Sequence, residues 1–230
     1  MAKKKIVVLT GAGVSAESGI QTFRDADGLW EGHDVMAVAS PEGWEKDQAL
    51  VLDFYNQRRA QLHSVQPNEA HIALAELEQK YEVFIVTQNV DDLHERAGSS
   101  NIVHLHGELK KARSTVDSNL IYDWDKDITT VDKCEKGSQL RPHIVWFGEA
   151  VPMIGAATPL SMIADICIVV GTSMQVYPAA GLVHYVKDEV PKYFVDPKPA
   201  SINIPNLKVI ADKATTGVRK LVDQLLKEAE

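Results

Sequence analysis

Ile6-Val7-Val8-Leu9-Thr10-Gly11-Ala12-Gly13-Val14-Ser15-Ala16-Glu17-Ser18-Gly19 decides how this chain is read. Its four leading apolar residues, three of them β-branched, have the composition of a strand buried in a parallel sheet. Gly11 and Gly13 follow at once, and the Ser/Ala/Glu run behind them is expected to start a helix. Strand, Gly-x-Gly and helix in that order, with Ala16 in the third small position, form the context that gives a dinucleotide fingerprint its meaning. Glycine is expected at both places because the turn needs unusual backbone angles and because a pyrophosphate must approach the main chain closely. A helix N-terminus would add free N–H groups and a partial positive charge. The same stretch also reads as a tight turn with no ligand. An ordinary dehydrogenase places an acidic residue about 20 positions on, at the end of a second strand, to hold the ribose. Here Phe23-Arg24-Asp25-Ala26-Asp27-Gly28-Leu29-Trp30 occupies that region, charged and unlike a strand, so chemistry other than hydride transfer stays open.

Working outward, 230 residues suffice for one sizeable core with a small appended lobe. The formal net charge of −8 argues against a general nucleic-acid binder, which needs a basic stripe, and fits basic partners such as lysine-bearing substrates. The apolar run after Lys3-Lys4-Lys5 is too short for a signal-peptide core, and no later run approaches membrane-spanning length. Two distant cysteines, Cys134 and Cys167, outline no disulfide framework. A cytoplasmic monomer is expected, without membrane or nucleic-acid partners.

Residues 22 to 45 lack periodicity and read as a long functional loop. Residues 46 to 64 read as a helix carrying Leu50, Val51, Phe54 and Leu62, and Asn68 can cap the next one. Val83–Thr87 and Ile102–Leu105 are expected strands, with a short helix between them that Gly98 can end. From Gly107 to about Leu140 the chain turns polar and reads as a loosely built insertion. Ile144–Gly148, Ile166–Val170, Tyr193–Asp196 and Leu207–Ile210 return to strand character. An amphipathic helix closes the chain through Val218, Leu221, Val222, Leu225 and Leu226, with Thr215 or Thr216 as cap. The alternation predicts an α/β fold, a Rossmann-type parallel sheet with helices on both faces and an inserted small domain. The large lobe is expected over 1–24, 66–107 and 141–230, the small lobe over 25–65 and 108–140. Ligands of such sheets bind at the carboxyl ends of strands, where Gln88-Asn89-Val90-Asp91, His106-Gly107 and Gly171-Thr172-Ser173 stand.

Together these motifs, with Thr22-Phe23-Arg24 and Val176-Tyr177-Pro178-Ala179-Ala180, closely resemble the sirtuin family, in order and over nearly the whole chain. The resemblance implies an NAD-dependent protein-lysine deacylase that consumes NAD and yields nicotinamide and O-acyl-ADP-ribose. It makes His106 the general base for the ribose hydroxyls. On chemistry alone a histidine is suited to this near neutrality but is more often structural or exposed. His104 projects the same way in an extended strand. Gln88, Asn89, Val90 and Asp91 are implied to line the nicotinamide and ribose pocket, Asn89 with a catalytic part, although Asn and Asp also favour helix caps there. Gly11, Ala12, Gly13, Ser15, Ala16, Glu17, Phe23, Arg24, Trp30, Gly171, Thr172, Ser173, Asp196 and Ala214 are implied as cofactor-binding. At Asp196 the family commonly has Asn.

Tyr55 and Arg58 share one helix face. An amphipathic helix with a solvated arginine is the plain reading, whereas Tyr-x-x-Arg at this place resembles the sirtuin subgroup that removes acidic acyl groups. Arginine grips a carboxylate bidentately and the phenol adds a hydrogen bond. Succinyl- or malonyl-lysine, with acetyl-lysine weaker, would then be substrate, held also by Val145 and Phe147 of a strand that pairs with the substrate peptide. Most sirtuins bind a structural zinc through two Cys-x-x-Cys pairs. Here those places read Ser114, Asp117, Cys134 and Gly137, which cannot complete a tetrahedral site, so no structural zinc is expected. An ADP-ribosyltransferase using the same NAD site is the alternative enzyme, and a non-catalytic nucleotide-binding module the alternative without chemistry.

Overall fold

The computed structural model describes residues 3–21, 29–30 and 32–229. The opening strand is β1 (Lys5–Thr10), followed by β2 (Leu29–Trp30), β3 (His33–Asp34), β4 (Glu82–Thr87) and β5 (Ile102–His104). Then come β6 (Gly107–Ser114), β7 (Ile121–Asp123), β8 (Leu140–Ile144), β9 (Ile166–Val170), β10 (Lys192–Val195) and β11 (Leu207–Ile210). The helices are α1 (Val35–Val38), α2 (Pro41–Lys46), α3 (Gln48–Gln61), α4 (Glu69–Glu76), α5 (Leu93–Ala97), α6 (Ile154–Met162) and α7 (Ala214–Glu228). Among the described residues no helix is long and apolar enough to cross a membrane.

Six strands form one sheet in the order β11-β10-β9-β1-β4-β5, every pair parallel. In β1, Ile6 and Val8 pack under α4 and α7 with Ile85, Ile168, Leu74, Val218 and Leu221. Val7 and Leu9 face the opposite layer with Val86, Cys167, Val169 and Phe194. The twofold alternation of strand side chains thus fills two cores from one near-continuous apolar run. Cys167 is fully buried among these apolar groups, which push its thiol up to about 12. The expected Asn68 cap is present: its side chain accepts from Ala70 N–H at 2.9 Å, while His71 Nδ1 accepts from Asn68 N–H at 3.3 Å. Gly98 ends α5 in the left-handed region (φ +101), as the sequence reading has it.

Elsewhere local reading is corrected. The run after Gly11 makes two 3₁₀ turns, Ala12–Val14 and Ala16–Ser18, not an α-helix, and Gly19 (φ +95) stops the second. The supposed loop before residue 45 contains β2, β3, α1 and α2, the last started by Ser40 accepting from Gly43 N–H with Pro41 at the first turn. The insertion is an antiparallel sheet, β7-β6-β8, rather than loose chain. Strand pairing stops at Ile144, so Val145–Gly148 is not part of a strand. At α7 the cap residue is Lys213; Thr215 turns to Glu17, and Thr216 Oγ1 donates to Asp212. A third core joins α1–α3 to the antiparallel sheet through Val38, Trp44, Phe54, Tyr55, Leu109, Ala112, Leu140 and Trp146. Burying a side chain such as Phe54 contributes about 1.5–3 kcal/mol.

Candidate active site

A cavity of about 670 Å³ opens where the carboxyl ends of β1, β4, β9 and β10 meet α3 and the 144–149 stretch. Its floor is two backbone turns pressed together. Gly11 N–H donates to Val170 O at 3.0 Å, and Gly13 N–H to Gly171 O at 2.8 Å. A Cβ on Gly13 would sit 2.6 Å from Gly171 Cα, and one on Gly171 2.4 Å from Val14 N. Gly11 itself is extended, and the left-handed angle belongs to Gly171 (φ +60). Glycine is thus required here by the passage of one main chain over another, a reason the sequence reading lacked. The helix end beside this turn is that of α7: Lys213 and Ala214 line the cavity, and Glu17 holds the terminus by accepting from Thr215 N–H (3.1 Å) and Oγ1 (2.9 Å). The Glu17 carboxylate, itself in the cavity wall, thus sets a full negative charge against the partial positive charge of that terminus.

Ser15, Asn89 and Asp91 are brought together beneath the cavity. His71 Nδ1 accepts from Asn68 N–H, so the proton lies on Nε2, which donates to Ser15 Oγ at 3.3 Å. The same oxygen accepts from Asn89 Nδ2 (3.1 Å), and its hydrogen goes to Asp91 Oδ2 (3.0 Å). Asp91 Oδ1 accepts from Leu93 N–H (3.1 Å) at the start of α5, although the N-cap residue is Asp92, whose side chain makes no cap bond. Burial lowers His71 to about 4 and raises Asp91, leaving the imidazole neutral. Gln88 Nε2 donates to Thr172 Oγ1 at 3.2 Å, tying the end of β4 to that of β9. His71 escaped the sequence reading, although the Asn68-x-x-His71 cap spacing pointed to it.

His106 stands in the cavity wall with Nδ1 3.1 Å from Gln88 O. A carbonyl only accepts, so Nδ1 carries the proton and Nε2 holds a lone pair. Burial lowers its pKa from the usual 6.5, the Gln88 bond opposing, so the ring is neutral near pH 7. His104 differs: Nδ1 meets Asn89 O (3.0 Å) and Nε2 meets Glu95 (2.7 Å), which occupies both nitrogens. Gly107 must be glycine, because a Cβ would fall 2.0 Å from His143 O where β8 crosses.

Tyr55 and Arg58 both contribute to the wall. Tyr55 is fully buried, which pushes its phenol well above the usual range, and its oxygen accepts from Trp146 Nε1 at 3.1 Å. Arg58 Nη1 donates to Phe54 O (3.2 Å), with the guanidinium 4.4 Å from the Phe54 ring centre. Trp30 packs edge-on against Phe54 and Tyr55, at this end of the cavity. Val145 and Phe147 line it too, with their N–H groups already donated to His106 O and Ala39 O. Ala12, Ala16, Val90, Ser173 and Asp196 complete the expected set in the wall; Asp196 accepts from Lys198 N–H at 2.8 Å. Phe23 and Arg24 lie outside the described residues. Trp146, Glu149, Lys198 and Lys213 also line the cavity and were not singled out as site residues. The two lysines carry no motif, only a position just past a strand end.

In the antiparallel lobe, Ser114 Oγ accepts from Val116 N–H and Asp117 N–H (both 3.2 Å), and Lys136 Nζ reaches Asp117 Oδ2 at 2.7 Å. Among the described residues no three His, Cys, Asp or Glu side chains gather as metal ligands.

A parallel sheet of Rossmann type, with glycine turns and paired polar groups at its carboxyl edge, defines a nucleotide-binding class of α/β protein. Residues 11–178 match the Sir2 family model, and the chain belongs to that family. It is 56% identical over 227 residues to a protein of Helicobacter pylori named NAD-dependent protein deacylase, covering 98% of this chain and 99% of that one. A Bacteroides thetaiotaomicron protein of the same name is 51% identical over 230 residues, 97% and 98% covered. A solved Sir2 homologue–NAD complex superposes with TM-score 0.88 at 40% identity, covering 99% of this chain and 91% of that one. A Sir2 bound to acetylated peptide gives 0.81 at 28%, with 96% and 93% covered.

Proposed function

We propose that this chain is an NAD-dependent protein-lysine deacylase that prefers acidic acyl groups, succinyl and malonyl above acetyl. The observation that carries the reading is His106 with its proton fixed on Nδ1 by Gln88 O and a basic Nε2 in the cavity wall. The residues present fit NAD. Gly11 and Gly13 line the cavity, where the main chain can meet a pyrophosphate, and the α7 N-terminus stands beside them. Asn89 and Asp91, fixed through Ser15, offer an amide and a carboxyl to the nicotinamide and ribose end. NAD supplies the glycosidic bond that is broken; this chain orients it and takes a ribose hydroxyl proton at His106 Nε2. With one water consumed in releasing the amine, the products are nicotinamide, O-acyl-ADP-ribose and free lysine. Tyr55 and Arg58 are proposed to receive the acyl carboxylate, each charge-assisted bond contributing about 1.5–3 kcal/mol.

The small lobe is proposed as 25–65 with 108–140, held without zinc. The Asp117 N–H bond to Ser114 Oγ and the Lys136–Asp117 ion pair tie together places where the family has metal ligands. The reading of His106 also sets a pH dependence. The neutral ring is the base, so activity is lost as pH falls through its depressed pKa. The acid limb of kcat/KM should have its midpoint below 6.5, and a midpoint above that value would exclude His106 as the base. The experiment for the acyl assignment compares succinyl-, malonyl- and acetyl-lysine peptides with labelled NAD. Label in a soluble O-acyl product, formed fastest from the acidic acyl peptides, is expected. Label fixed on protein instead would indicate an ADP-ribosyltransferase.

A further inference from the structure

The acyl end of the cavity is organised by a group that the Tyr-Arg pair does not include. Trp146 donates its indole N–H to the Tyr55 oxygen at 3.1 Å. An indole nitrogen donates and never accepts, so the bond fixes the phenol oxygen as acceptor and directs its hydrogen to some other partner. Trp146 is itself held on several sides. The Arg141 guanidinium lies 3.2 Å from the Trp146 ring centre, and Trp44 packs 5.7 Å away. Glu149 accepts from Trp146 N–H (2.8 Å), from Arg141 Nη1 (2.7 Å) and Nη2 (3.1 Å), and from Arg113 Nη2 (3.1 Å). Arg141 Nη2 also donates to Ile144 O at 2.9 Å. One carboxylate therefore fixes both the backbone of Trp146 and the cation stacked on its ring. Burial works against that charge, yet the two arginines and Trp146 N–H keep Glu149 below its ordinary value and ionised.

We propose that Trp146, clamped by Arg141 and Glu149, is a positioning residue for acyl specificity: it orients the Tyr55 hydroxyl as a donor to the carboxylate of an acidic acyl group. The inference rests on the acidic-acyl reading above and adds a residue to it. A neutral acetyl group has no carboxylate to take that hydrogen, so the clamp acts on the choice between acyl groups.

The test measures kcat/KM on succinyl- and acetyl-lysine peptides for the wild type, Trp146→Phe, Tyr55→Phe and the double variant. Trp146→Phe keeps an aromatic ring but removes the donor. The succinyl-to-acetyl ratio should fall about 2- to 10-fold, the range of one hydrogen bond. Because Trp146 acts through the Tyr55 hydroxyl, the same change in the Tyr55→Phe background should leave the ratio where Tyr55→Phe put it. A wild-type ratio in Trp146→Phe, or a full further fall in the double variant, overturns the role of Trp146 while the acidic-acyl reading stands. A wild type with no succinyl preference overturns both. Should Trp146→Phe not fold, Glu149→Gln is measured instead: a lowered ratio that Tyr55→Phe abolishes supports the clamp, and an unchanged ratio overturns it.

Discussion

His106→Ala is expected to lower deacylation about 10²- to 10⁴-fold, the usual contribution of a positioned general base. The loss should appear in turnover with NAD affinity largely kept. The groups proposed to grip the cofactor are the Gly11–Gly13 turn, the Ser15–Asn89–Asp91 set and the α7 terminus, none of which bonds to the imidazole. Single-turnover deacylation and an NAD binding isotherm, taken on the same preparation, separate the two quantities. Undiminished turnover would remove His106 from its role. His104 offers no substitute, because both of its nitrogens are committed.

Arg58→Met is expected to lower desuccinylation about 10- to 150-fold, equivalent to losing one charge-assisted bond of about 1.5–3 kcal/mol, while deacetylation changes far less. Methionine keeps much of the length and apolar volume beside Phe54 but cannot pair a carboxylate. The measurement is the ratio of kcat/KM on the two peptides. Equal losses on both would show a structural arginine, the amphipathic-helix reading of the same spacing. Phe54, stacked beneath the guanidinium at 4.4 Å, keeps that structural alternative a concrete one.

How far the sequence carries this account differs from place to place. The parallel sheet was legible because β1, β4 and β9 are apolar on both faces and end in polar or glycine clusters, a local signal. The Asn68 and Gly98 punctuation was legible for the same reason. The antiparallel sheet was not. In β6, Gly107, Leu109, Ala112 and Ser114 are the buried positions, and a register shift between Glu108 and Ala112 breaks the period of two among Lys110, Lys111 and Arg113. Val145–Phe147 has strand composition, but Glu149 captures Trp146 N–H and Gly148 turns in the left-handed region (φ +89), so pairing ends early. In the site, the described residues on motifs line the cavity, whereas those that act through partners distant in sequence leave no local sign. The contact of Gly171 with Gly13 and the bond from Trp146 to Tyr55 each join segments about 90 residues or more apart, and neither leaves a local pattern.

The central claim is that NAD is consumed as a co-substrate of acyl-lysine removal. Its most direct measurement is the stoichiometry of nicotinamide formed to lysine freed, with purified protein and a succinyl-lysine peptide, with and without NAD. The account predicts equal amounts of the two products, and neither product when NAD or the acyl peptide is left out. Lysine freed without NAD, or nicotinamide formed at the same rate without the acyl peptide, would contradict it.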